Sequence, residues 1–578
     1  MTAETHGADS LVSGGLTTVD GEEHYRIGGL EHMEPFLMSV VSDCDLWMFI
    51  SSTTALTAGR VDRDNALFPY ETDDRLHRAA GVTGPVTVVA RTRDGRRQLW
   101  RPFGGEVAGA CTRTVAKSVL GNRILFEETN EEWGLAFRMA WEPSREFGWV
   151  RTAEVVDLDG RGATLEVLDG LLDVMPAGVE AGMEQVLSNL VDAYKRSETG
   201  RWGTGGIFTL ESLVSDRAEP AEALASTMVW ASGWDGEIHL DERVLESMLQ
   251  GRGFSTTELL TGRRGSYLLR GPVEIEPGST ASWMMVADTG LGHAALVDRV
   301  GFAARDDAPA EVRRDIASGR DRLRQLLVSA DAIQSTGDRV ADAHHFSNVL
   351  FNSMRGGVFP HVYRLPVSDL LDFIGTRNRA VLEAHRAEIV AFGEWIDLEA
   401  LRSHVLQTGD PDLIRLALEY LPISFARRHG DPSRPWNRFS IRTQNDDGSD
   451  LLSYEGNWRD IFQNWEALLH SFPGYCANVV AKFVNASTVD GHNPYRITRD
   501  GIDWEVPEPD DPWSNIGYWG DHQIVYLLRL LEAWENFEPG GIEPWLRREV
   551  FTYAAVPYVL AEHQEMVRDP RNTIAFDY

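Results

Sequence analysis

Cysteine is almost absent from this chain of 578 residues: Cys44, Cys111 and Cys476 are the whole set. The number is odd, the spacings are long and no Cys-x-x-Cys occurs, which argues against a disulfide framework and a zinc ribbon. Positive charge is short as well. Lys and Arg total 55 against 88 Asp and Glu, a formal net charge of −33. A surface that acidic repels phosphate backbones and anionic lipid, so neither nucleic acid nor a membrane is expected as a partner. Long apolar runs are missing too, and none approaches the ~20 residues of a membrane span. The first residues carry neither a basic n-region nor an apolar h-region, so no signal peptide is read and a cytoplasmic location is expected. P-loop, His-Glu-x-x-His, Gly-x-Ser-x-Gly and Gly-x-Gly-x-x-Gly motifs do not occur in a supporting context, which leaves metal and nucleotide-cofactor chemistry without support.

What is present reads as an ordinary globular chain, 43% hydrophobic and 25% charged, and long enough for two or more domains. Residues 1–20 are small and polar, and read as a flexible tail. Over 21–300, short apolar runs alternate with turn signals. Runs at 36–41, 46–51, 86–91, 124–127, 135–141, 149–156 and 163–168 predict strands, continued at 226–231, 266–269 and 282–287. One helix is predicted there, over 184–194. The result is a large antiparallel β-sandwich. Interleaved charges at helical spacing make 301–336 a linker helix. From 337 to 578 the pattern is helical, with predicted helices over 338–354, 368–392, 397–407, 411–420, 458–485, 520–536 and 543–566. The fold class is therefore α+β and multidomain. Two long connections, 423–456 and 487–518, are rich in Trp, Pro, Asp and Asn, and loops of that length in a compact domain tend to be functional.

The stretch from Tyr454 to His470 concentrates acids, tryptophans and side-chain amides. If a helix starts near Gly456, Asn457, Asp460 and Asn464 fall at i, i+3 and i+7 and share a face at its N-terminal end. The plainer reading makes Asn457 a cap and Asp460 a partner of the helix dipole. That leaves Tyr454, Glu455, Trp458 and Trp465 unexplained. A second constellation holds Arg496, Glu505, Trp519, Asp521, His522 and Gln523. Planar hydrogen-bonding groups beside an indole face suit a sugar subsite, whereas helix capping by Asp521 and core packing of the tryptophans are the plainer alternatives. A third gathers Arg355 with Arg364, Asp369, Asp372 and Arg377, either a polar pocket with Arg355 foremost or a loop stitched by Arg–Asp pairs. Trp436 lies in a fourth, at 429–438, which either borders the same pocket or is a solvated loop pinned by one buried ring.

A β-sandwich, a linker helix and helical hairpins, together with Gly456-Asn457-Trp458-Arg459-Asp460, resemble the six-hairpin glycosidase and phosphorylase superfamily, including cellobiose-phosphorylase-like and glycogen-debranching-like proteins. The motif resembles that family's Gly-Asp-Trp-Asn-Asp, with Asn457 and Arg459 in place of its first Asp and its Asn. The resemblance implies an (α/α)6-type helical barrel over 337–578 and a general acid at Asp460. It further implies cleavage of a glycosidic bond of an oligosaccharide by inverting hydrolysis or phosphorolysis. Hydrolysis needs a second carboxylate, for which Asp521 and Glu505 are the candidates. Phosphorolysis needs inorganic phosphate as co-substrate, and no other cofactor is expected. Fewer helices are legible than a complete barrel contains, so an incomplete barrel is also open, with exposed helix faces inviting a homodimer or a companion chain. The rival reading is a non-catalytic carbohydrate-binding or assembly protein, or a truncated enzyme lacking a C-terminal part.

Overall fold

The computed structural model describes residues 11–105, 111–199, 203–214, 222–428, 430–435, 439–445, 447–489, 491–504, 523–555, 558–570 and 574–576. Two compact units emerge. One comprises 1–324, 338–343 and 430–441; the other comprises 325–337, 344–429 and 442–578.

The first unit is built on antiparallel sheets. One sheet of eleven strands begins at Ser13–Val19 and Glu22–Gly28, passes through Cys111–Ser118, Ile124–Asn130, Leu135–Ser144, Gly148–Asp157, Thr280–Gly292 and Ala225–Ser232, and ends at Leu259–Thr261. A five-stranded sheet is centred on Ala163–Val174, flanked by Gly265–Ile275 and Gly84–Arg93. A third sheet joins Leu37–Val40, Leu46–Ser51 and Leu56–Arg60. Strand alternation assigns the two faces of the large sheet. Val229, Ala231, Trp283, Met285 and Ala287 face the core shared with the other sheets, while Met228, Trp230, Met284 and Val286 face the opposite way. That second face is covered by helices His293–Ala303 and Ala308–Ser329 through Leu296, Val312 and Ile316. Within the shared core a fully buried ion pair ties two sheets. Arg151 donates to both oxygens of Asp169 at 2.6 and 2.8 Å, and Thr87 and Trp283 donate to the same carboxylate.

The expected tail departs from the structure. Ser13–Val19 pairs in register with Glu22–Gly28 as an edge strand of the large sheet. Its polar composition suits an edge strand exposed on one face. The segment 430–441 departs as well, because it groups with the sheet-rich unit. Phe439 packs edge-on against Trp47 at 5.1 Å, and the Ile441 N–H donates to Val61.

The second unit is helical. Two predicted helices are split. The stretch 368–392 breaks at Asn378, which is extended and caps Arg379–Val390 by accepting from the Val381 N–H, so Val367–Arg377 ends before it. The stretch 458–485 breaks at Phe472-Pro473, giving Trp458–Ser471 and Cys476–Ala486. Proline lacks the N–H a helix interior requires, and its ring collides with the preceding turn. In the last region, 543–566 is not one helix but Glu543–Leu546 and His563–Arg568 with strand Tyr558–Leu560 between. Leu398–Thr408 packs on Pro411–Glu419, which packs on Cys476–Ala486, which in turn packs on Leu528–Phe537. The connection expected over 487–518 contains strands Arg496–Thr498 and Ile502–Asp503, which form a small sheet with Glu455–Asn457. Among the described residues, no helix is long and apolar enough to cross a membrane.

Candidate functional site

The small sheet feeds directly into the helix that carries Asp460. Strand Glu455–Asn457 pairs with Arg496–Thr498, setting Asn457 opposite Arg496, and the Trp458 N–H donates to Tyr495 at 2.9 Å. Trp458–Ser471 is strongly amphipathic. Trp458, Ile461, Phe462, Trp465, Leu468 and Leu469 are all buried on one side. Asp460 stands in the first turn with its side chain 16% exposed, Arg459 lying 3.9 Å from its carboxylate. Asn457 occupies the capping position but its side chain makes no capping bond. Its Oδ1 is buried and accepts no hydrogen bond among the described residues.

Arg496 sits over this entrance in a charged network. It donates to Asp503 and lies 3.6 Å from Glu455, and its own side chain remains 27% exposed. Arg428 joins the group without any sequence signal of its own. Burial lowers its pKa, the neighbouring Arg496 lowers it further, and Glu455 opposes them. Asn464 is buried on the next turns of the helix. A Cβ added to Gly356 would lie 3.1 Å from the Asn464 Cβ, and the Trp465 indole donates to the Gly356 carbonyl at 3.0 Å. Helix Arg339–Gly356 therefore ends against the Asp460-bearing helix, bringing Arg355 to the same region, its guanidinium 3.8 Å from the Phe351 ring centre.

The structure thus sets Arg496 opposite Asn457 at the sheet-to-helix junction, one turn before Asp460, with Asn464 further along that helix and Arg355 at the end of helix Arg339–Gly356 that meets it. Trp458, expected among the substrate-binding residues, is packed in the core instead. It is 1% exposed, with Phe462 and Phe483 edge-on to it at 5.2 and 4.8 Å, so no ring face is left for a ligand. Of the third constellation, Asp369 is bound by Arg499 and Tyr420 at 2.6 Å each, a stitched structural contact of the plainer kind. Glu505, Trp519, Asp521, His522 and Trp436 lie outside the described residues, as does the Gln523 side chain. Gln523–Leu527 forms a wide turn that packs on the Asp460-bearing helix, where Gln463 donates to the Tyr526 hydroxyl at 2.6 Å.

With this geometry in view, comparison with known proteins adds one family match. Residues 359–422 match the family model for glycoside hydrolase family 149 insertion domain 1. The likeness to a glycoside hydrolase family is thus confined to a stretch separate from the Asp460 motif. That segment spans helices Val367–Arg377 to Pro411–Glu419, ahead of the Asp460-bearing helix. No curated protein matches the sequence. Among solved structures, a bacterial glucoamylase complexed with acarbose is 8% identical, with 83% of this chain and 73% of that one covered and a TM-score of 0.31. A protein assigned as a kojibiose phosphorylase, from the human microbiome, is 8% identical with a TM-score of 0.30; 90% of this chain is covered, but only 59% of that chain's length. Both likenesses are too distant to carry fold or function.

Proposed function

We propose that this protein is a carbohydrate-active enzyme that cleaves a glycosidic bond of an oligosaccharide, with Asp460 as general acid. The observation that carries the substrate class is the family match over residues 359–422. What favours Asp460 is its situation: a part-buried carboxylate in the first turn of its helix, 3.9 Å from the Arg459 guanidinium, that accepts no hydrogen bond among the described residues, one turn on from Asn457, whose backbone pairs with that of Arg496. A carboxylate engaged in capping would be bonded to a backbone N–H.

In this reading Asp460 protonates the leaving glycosidic oxygen, while Asn457, Asn464, Arg355 and Arg496 take sugar hydroxyls. The attacking group is either water or inorganic phosphate. For water, a second carboxylate roughly 6.5–9.5 Å from the acid must act as base, and Asp521 or Glu505 would supply it. For phosphate, the acid alone suffices, because the phosphate oxygen attacks and the sugar leaves as its 1-phosphate.

Sugar release from a glycan panel, with and without inorganic phosphate, tests the reading. Replacing Asp460 by Asn should lower kcat by about 10²–10⁴-fold, the usual worth of a general acid, with the fold preserved. Dependence on phosphate separates phosphorolysis from hydrolysis. Glycan binding by the unmutated protein with no turnover would overturn the enzymatic reading.

A further inference from the structure

Only three of the 55 basic residues are lysines, Lys117, Lys195 and Lys482, the rest being arginine. Lys195 is buried in the manner proteins normally require, with Asp192, Glu184 and Asp173 at 2.8, 3.6 and 4.0 Å. Lys117 is half-buried in strand Cys111–Ser118, and desolvation alone acts on it. Lys482 differs from both. It is 4% exposed in helix Cys476–Ala486, it forms no ion pair or hydrogen bond among the described residues, and other cations gather round it.

The Tyr454 ring centre lies 5.6 Å from the Lys482 ammonium. Tyr454 is 1% exposed, and its buried hydroxyl has no hydrogen-bond partner among the described residues. Arg377, the last residue of helix Val367–Arg377, lies within electrostatic reach of both; its guanidinium stacks on the Phe373 ring at 3.7 Å, and its two terminal nitrogens are buried without hydrogen-bond partners among the described residues. The neighbouring carboxylates are already engaged. Glu419 accepts from Asn485 at 2.7 Å and from Arg415 at 3.1 Å. Asp369 is taken by Tyr420 and Arg499. Asp500, the remaining acid in reach, is exposed on the turn between the two short strands.

The Tyr454 hydroxyl and the two terminal nitrogens of Arg377 thus are buried donors with no acceptor among the described residues, and the Lys482 ammonium near them forms no ion pair or hydrogen bond there, so two of the three groups carry positive charge. Each unsatisfied buried donor is costly, and an unpaired buried charge more so. Water can accept hydrogen bonds from these groups but leaves the charges uncompensated. An oxyanion answers both needs, and the arginine fork is shaped for one. With a net charge of −33, the molecule as a whole repels anions, so such binding would have to arise from a local cluster of this kind.

We propose that Arg377, Tyr454 and Lys482 form a binding site for a small oxyanion, either inorganic (phosphate or sulfate) or the carboxylate of an organic acid. The inference is independent of the glycosidic reading of Asp460. It is tested on the full chain by titration calorimetry and thermal melting in sodium phosphate, sulfate and acetate, each against chloride at equal ionic strength. Saturable binding and a raised Tm in at least one oxyanion are expected. Phosphate and sulfate acting without acetate indicates a tetrahedral ligand, whereas an effect of acetate indicates a carboxylate. Lys482→Met and Arg377→Met should each weaken that binding at least tenfold, while Arg529→Met, which removes an exposed charge in the same unit, should leave it unchanged. Lys482→Met removes an unpaired buried charge and is expected to fold, so loss of binding in it is not loss of structure. Equal melting in all four salts with no saturable binding would mean that the cluster holds water only. Binding that survives both substitutions would put the anion elsewhere. Either result overturns the proposal.

Discussion

At the scale of single residues, a buried charge depends on every partner it has. Asp169 receives Arg151, Thr87 and Trp283 in a dry core. Removing one member of such a set leaves the others desolvated and unpaired. Asp169→Ala should therefore cost about 3–5 kcal/mol, read from urea unfolding; a loss under ~1 kcal/mol would mean that the core rehydrates around Arg151. Asp157 offers a pH-dependent test. The backbone N–H groups of Gly278 and Gly162, each 2.8 Å away, hold its carboxyl down at about 2. A folded pKa below the unfolded value of ~3.9 means that its stabilisation is complete above that value and fades as pH falls through about 2. The acid limb of a Tm-against-pH curve should consequently be shallower in Asp157→Asn than in the unmutated protein between pH ~4 and ~2. Neither residue stands out in the sequence. Asp169 is one acid in a strand, and only the opposing strand reveals its partner.

At the scale of elements, caps and breaks decide the helical unit. Asp410 accepts from the N–H groups of Asp412 and Leu413 at the start of Pro411–Glu419, and lies 2.9 Å from His385. Asp410→Ala should cost about 1 kcal/mol through the lost cap, visible as a lower Tm, and an unchanged Tm would show that water replaces the cap fully. Asp397 before an apolar-periodic run and Gly409 after it, at φ 70°, are legible in the sequence as a start and a stop, whereas Ser368, which reads as a start in the same way, lies inside Val367–Arg377. The breaks were harder to see. Asn378 interrupts a run whose apolar spacing continues on either side, because Val381 and Ile389 are buried in a different helix from Leu370 and Phe373. Periodicity is insensitive to such a restart, as two short helices can carry the spacing of one long helix.

For the whole molecule, charge is the dominant feature. A net charge of −33 on 578 residues destabilises the compact state through self-repulsion. Salt relieves that repulsion, since the screening length falls from roughly 30 Å at 0.01 M to about 3 Å at 1 M. The Tm should rise over that range in KCl, and a fall would indicate that favourable surface ion pairs outweigh the repulsion. Arginine supplies nearly all the positive charge, and much of it is tied down, as in Arg60 with Asp45 and Asp288 or Arg113 with Glu128.

The sequence by itself determined the order of a strand-rich region followed by a helical one, the position of the Asp460-bearing helix, and the neighbourhood of Asn457 and Asp460. Each depends on local signals: period-two or helical spacing, caps and turn residues. Only the tertiary structure decided that Trp458 is core, that Arg496 and Arg428 meet at the helix entrance, that 430–441 joins the sheet-rich unit, and that Lys482 is buried beside Arg377 and Tyr454. Those outcomes depend on which distant segments share a solvent-free volume. Desolvation and pairing are properties of that volume, and no window along the chain contains them.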